Sequence, residues 1–192
     1  MIKGSLKKLA YTSAIALTVA AGPALANTAT ITAEVEVLNN ITVTELQSLD
    51  FGQIGITTDT GQTPDILLQT DGTFTPTFAG AASIVEIGGS APAQVQLVSA
   101  AGAAVSGVDI NFVISNPVDL TDGVSDVFTL SDFEYDDQQG NTGAVALSTP
   151  VTVTLYTNGE AIVLVGGRIT AADAGTYADG VYTGSFDVQV YY

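Results

Sequence analysis

Residues 180–192 read GVYTGSFDVQVYY. Tyr182, Gly184, Phe186, Val188, Val190 and Tyr192 fall on one face, and Thr183, Ser185, Asp187, Gln189 and Tyr191 on the other. A period of two with β-branched and aromatic residues on one side describes a strand half buried against a core. Such a strand needs a partner, because an unpaired row of backbone donors and acceptors is costly when buried and adhesive when exposed.

A second alternation lies near the amino terminus. Ala29, Ile31, Ala33, Val35 and Val37 share one face, against Thr28, Thr30, Thr32, Glu34 and Glu36. Asn39-Asn40 breaks it, and Ile41 and Val43 resume. Residues 27–38 therefore read as an amino-terminal strand with its own apolar face. It is also a candidate donor strand, able to close its own sandwich or to complete a neighbour's sheet. Small Ala29 and Ala33 alternate with larger Ile31, Val35 and Val37, as shallow and deep pockets along a groove would require.

Upstream, Lys3, Lys7 and Lys8 form a basic segment, Leu9 to Ala21 a short apolar run, and Ala24-Leu25-Ala26 a small-x-small pattern. This predicts a signal peptide over 1–26 and an exported domain over 27–192; the competing reading is an uncleaved anchor. The expected destination is the periplasm, cell surface or medium of a Gram-negative bacterium, with no membrane insertion after cleavage. Asn40-Ile41-Thr42 matches a glycosylation acceptor pattern, which behind a bacterial-type leader is read as chance.

Residues 27–192 hold one basic side chain, Arg168, against twenty acidic ones, a side-chain charge of −19. Such a surface repels nucleic acid and anionic lipid. The chain has no Cys, His or Trp, and its three Lys all precede Ala26. Disulfides, imidazole or thiolate metal sites, Ser–His and Cys–His nucleophiles and Lys–Asn crosslinks are thereby excluded, and no cofactor is implied. Carboxylates and Tyr remain, enough in principle for a glycosidase, but a cleft rich in aromatics is not in sight.

Between the two ends, short apolar runs alternate with turn signals. Strands are expected near Leu49–Gly52, Ile66–Thr70, Phe74–Phe78, Ala82–Ile87, Ala93–Val98 and Val108–Ile114. Others are expected near Phe128–Leu130, Val145–Ser148, Val151–Tyr156 and Ala161–Val165. Ile54–Pro64 reads as a loop, Asn116-Pro117 and Gly166-Gly167 as turns, Asn158-Gly159 as a hairpin turn, and Ala171–Gly175 as one helical turn. Short strands at this spacing indicate an all-β sandwich or barrel.

Two acidic runs stand out: Asp119, Asp122 and Asp126, and then Asp132, Glu134, Asp136 and Asp137. The first three are candidate calcium ligands, but neither run follows the EF-hand order, and solvated loops are the simpler reading. Arg168 suits pairing with a carboxylate, tying the Gly166-Gly167 corner to an acidic loop.

Taken in order, the alternating opening, Leu49-Asp50-Phe51-Gly52-Gln53-Ile54, Val165-Gly166-Gly167 and the closing Y-x-G-x-F-x-V-x-V-x-Y strand resemble the bacterial secreted family catalogued as domain of unknown function 4402. The layout is also similar to spore coat U-type proteins and chaperone–usher pilin subunits. The absence of Cys sets it apart from the coat U group, and Arg168 stands where a small polar residue is usual. The resemblance implies an immunoglobulin-like (pilin-like) antiparallel β-sandwich and a non-enzymatic surface or fimbria-like subunit. It further implies partners that are copies of the chain and a periplasmic chaperone and usher. Ala29, Ile31, Ala33, Val35, Val37, Tyr182, Phe186, Val188 and Val190 are then the assembly residues. The alternative is a monomeric secreted β-sandwich that binds carbohydrate or another surface ligand.

Overall fold

The computed structural model describes residues 40–192, apart from 79 and 157. The signal peptide expected over 1–26 and the strand expected over 27–38 lie outside the described residues. Twelve strands follow in order: β1 (Ile41–Gln47), β2 (Gln53–Thr57), β3 (Asp65–Leu68), β4 (Phe74–Thr77), β5 (Ser83–Gly88) and β6 (Ala93–Ser99). Then come β7 (Asp109–Thr121), β8 (Phe128–Asp136), β9 (Thr142–Val145), β10 (Val151–Thr154), β11 (Glu160–Ala171) and β12 (Thr183–Tyr191). The helical content of the described residues is a single 3₁₀ turn, Gly102–Val105. The fold is all-β.

β11 is the strand on which the rest is laid. Its first half pairs with β6, and its second half with β8 on one side and β3 on the other, all antiparallel. β1 extends the sheet beyond β6, β4 beyond β3 and β9 beyond β8. A second arm, β10–β7–β12, joins this network through one register pair, Leu120 with Phe128. Ten strands are thus hydrogen-bonded together, and β2 and β5 form a separate two-stranded ribbon.

Alternation decides which faces meet. In β6, Ala93, Val95, Leu97 and Ser99 are buried and the residues between them are partly exposed. Phe112 and Ile114 of β7, Phe133 of β8, Val153 of β10 and Val163 of β11 are almost wholly buried in one hydrophobic cluster shared by both arms. Each such side chain contributes about 1.5–3 kcal/mol of transfer free energy.

Several expected breaks are irregularities inside strands. Gly166-Gly167 lies within β11, where the partner on one edge changes from β6 to β3. An added Cβ at Gly166 would stand 2.3 Å from the Leu68 carbonyl oxygen, so the glycine is there for strand approach and not for a turn. Asn116-Pro117 lies within β7. Ser115 pairs with Asp187 and Val118 with Ser185, so β7 spends one more residue than β12 over that interval. Asn116 takes φ 50° at this bulge. The register slips again before Thr121, once more with the extra residue in β7, so β12 stays regular.

Asn158-Gly159 does reverse the chain, with Gly159 at φ 79° and Tyr156 N–H donating to the Glu160 carbonyl. It does not make a hairpin, because β10 pairs with β7 whereas β11 pairs with β6 and β8. The expected strand at Leu49–Gly52 is only an isolated bridge from Asp50 to Ala91. Part of the expected loop is strand β2, and Ala172–Gly175 is a turn without a helix.

Candidate functional site

Among the described residues, β1 pairs only with β6 and β12 only with β7. These two edge strands border a groove of about 800 Å³. Its floor is formed by Ala93 and Val95 of β6, Leu120 of β7 and Leu130 of β8. Val43 and Leu49 line one wall, and Tyr182, Phe186 and Val188 the other.

The burial of the walls follows from their place at the edges. Val95 and Leu97, with strands on both sides, are 5% and 0% exposed, whereas Val43 on the neighbouring edge is 39% exposed. Phe186, Val188 and Val190 are likewise only half buried, although they point to the same cluster. Phe186 packs against Phe133 with ring centroids 4.9 Å apart. Tyr182 stands edge-on to Phe128 at 5.2 Å, and its hydroxyl accepts from the Ala178 N–H and donates to the Ala178 carbonyl. Tyr182, Phe186 and Val188 are therefore brought together as one wall, and Val190 continues the same face. Ala29, Ile31, Ala33, Val35 and Val37 lie outside the described residues.

Gly184 is fixed by the β7 bulge. A Cβ there would collide with the Val118 carbonyl oxygen, so β7 backbone fills the place of a side chain between Tyr182 and Phe186 and only glycine fits without moving backbone. Asp187, on the outward face, accepts a 2.8 Å hydrogen bond from Asn116 Nδ2.

The acidic side chains serve the backbone instead of converging. Asp122 accepts from Val124 N, Ser125 N and Ser125 Oγ, and the Ser125 and Val124 amides lower its pKa. Asp119 accepts from Leu130 N, and Asp126 from Thr176 N. Among the described residues no three His, Cys, Asp or Glu side chains gather as a metal-binding group.

The second acidic run is strand β8 followed by its turn, not a solvated loop. Asp137 at its end is fully buried and accepts from Gln139 N, Asn141 N, Asn141 Nδ2 and Thr154 N. Burial raises its pKa, but these donors outweigh it and the net shift is downward. Arg168 is not at a corner: from mid-β11 it pairs with Asp65 of β3 through Nη1 and with Asp132 of β8 through Nε at 2.9 Å. Burial lowers its pKa, the two carboxylates raise it, and the rise wins.

The floor residues Ala93, Leu120 and Leu130 were not among the expected site residues. Their alternation is legible, but it marks them as core, and only the sheet order shows which core positions lie under an edge. Against known families, residues 41–192 match the model described as Domain of unknown function (DUF4402). The chain belongs to the DUF4402 family. The DUF4402 match starts at Ile41, the first residue of β1, and runs through β12, so both walls and the floor of the groove lie inside it. No curated protein matches the chain.

Proposed function

We propose that this DUF4402 protein is an exported, non-catalytic envelope subunit that assembles by accepting an extended strand into the groove between β1 and β12. The observation that carries this reading is the groove itself. Its floor is continuous with the core, and each of its two walls has a backbone edge without a ladder partner among the described residues. A strand laid there gains ladder hydrogen bonds and buries Val43, Phe186 and Val188 further. With that strand in place the two arms close as an immunoglobulin-like sandwich.

Export through the 1–26 signal peptide fits the same picture, as does a periplasmic chaperone that lends a strand before assembly. Exchange between copies is a head-to-tail contact, which yields filaments instead of closed dimers. Carbohydrate binding has less support. Tyr182, the aromatic side chain of the groove with a polar end, has its ring against Phe128 and its hydroxyl on Ala178.

The test is light scattering and electron microscopy on the chain 27–192 over a range of concentrations, beside the same chain lacking 27–37. Concentration-dependent filaments from the first are expected. The second should stay unassembled and bind a peptide of residues 27–38. A full chain that stays monomeric at high concentration, with a shortened form that ignores the peptide, would sink the reading.

A further inference from the structure

We infer that Glu45 couples filling of the groove to uptake of a proton: its carboxylate stands on the apolar face of β1, and a strand laid over it is held tightly only when that carboxylate is neutral. This rests on the strand-accepting reading above and adds how the site is regulated, whichever strand enters.

The register fixes where Glu45 points. Val43 faces Leu97 and Glu45 faces Val95 in the β1–β6 ladder. Directly paired residues put their side chains on the same face of a sheet, and here that face is the core side, since Leu97 and Val95 are buried. Ile41, Val43 and Glu45 are therefore the inward positions of β1. At the third, where the alternation calls for an apolar side chain, stands a carboxylate that borders the groove and is exposed. Directly after it β1 spends one residue more than β6, leaving Leu46 half exposed. A bulge and an inward charge are two of the means by which an edge strand is kept from pairing freely. β1 is the guarded wall of the groove.

Little in the groove could compensate that charge once it is covered. Ser48 Oγ donates to Glu45 at 2.6 Å. The floor from β6, β7 and β8 is apolar. On the opposite wall the titratable side chains are Tyr182, whose hydroxyl is engaged with Ala178, and Asp187, whose carboxylate turns outward to Asn116. Asp50, beyond β1, accepts from Gly52 N. Arg168, the one basic side chain after Ala26, is held by Asp65 and Asp132 and is no part of the groove lining. A strand laid across Glu45 thus removes solvent from a carboxylate and returns no cation of this chain. Desolvation favours the neutral acid. The filled groove then holds a proton that the open one releases, and filling weakens as pH rises through the carboxylate range.

The test compares the chain 27–192 with its Glu45→Gln variant at pH 7 and pH 4.5. Light scattering gives the lowest concentration that assembles, and electron microscopy identifies the product as filaments. At pH 7 the variant should need about ten-fold less protein, the equivalent of one unit of linkage, and at pH 4.5 the gap should narrow to about two-fold. High salt should leave the gap at pH 7 in place, because salt screens general repulsion and not burial. Glu86→Gln, at an exposed position of β5, should gain far less. Equal concentrations at pH 7, a gap unchanged at pH 4.5 or lost in salt, or a like gain from Glu86→Gln overturns the role of Glu45 and leaves strand acceptance standing. No assembly by either protein at either pH removes both readings together.

Discussion

The hydroxyl of Tyr192 lies 2.7 Å from Ser99 Oγ, joining the end of β12 to the end of β6. Ser99 is buried, faces Ile41 in the β1–β6 register, and also accepts from the Ala101 amide. One end of the groove is therefore tied across by Tyr192. Tyr192→Phe removes the tie and keeps the ring. It should cost about 0.5–1.5 kcal/mol by chemical denaturation, with Ser99→Ala giving a similar loss and the double variant little more.

Phe133 and Phe186 touch, but they are not equivalent. Phe133 is 1% exposed, so Phe133→Ala should cost about 3–5 kcal/mol in unassembled protein. Half-buried Phe186 should cost less as Ala in that state, and Asp187→Ala little. The Phe186→Ala loss should grow when a strand occupies the groove. Denaturation midpoints measured with and without the 27–38 peptide on the chain lacking 27–37 read the difference directly.

Asp137 predicts an acid transition. Its folded pKa is lowered, so its contribution is present above the unfolded value of about 3.9 and is lost as pH falls through the folded value. Asp137→Ala should destabilise by roughly 3 kcal/mol or more at pH 7, because three backbone amides and Asn141 lose a buried acceptor. Below about pH 4 the gap between variant and parent should narrow. Urea titrations at pH 3 and pH 7 test the sign.

Arg168 predicts a geometric requirement. Its guanidinium serves Asp65 and Asp132 from different nitrogens, which a lysine ammonium cannot reproduce. Arg168→Gln should lose about 1–2 kcal/mol, nearly all from the Asp65 pair, since Asp132 is 68% exposed and screened. Arg168→Lys should recover less than half of it in thermal denaturation.

How far the sequence could be read depended on whether a signal was local. The alternations of β6 and β12 depend only on their own residues, and both strands were legible to within three residues. Gly166 and Asn116 were misread for a shared reason. Glycine and asparagine mark positive φ or close approach, and a bulge inside a strand needs these as much as a turn does. β2 was hidden because Gly55 separates Ile54 from Ile56 and Thr57 and Thr58 follow, which dilutes the apolar pattern. Tyr182, Phe186 and Val188 were legible as an apolar face. That this face borders a groove was not, because an edge is a property of the sheet order and not of any one strand.

The regularity of β12 has a kinetic consequence. Proteins usually blunt an edge strand with a bulge, a proline or an inward lysine; here the bulges and the proline sit in β7, and β12 has neither proline nor lysine. A straight edge beside an apolar groove is adhesive toward any extended chain, so encounters between newly folded copies compete with correct occupation of the groove. That competition is second order in protein. Recovery from denaturant should drop as concentration rises, and a strand supplied in excess at the moment of refolding should rescue it.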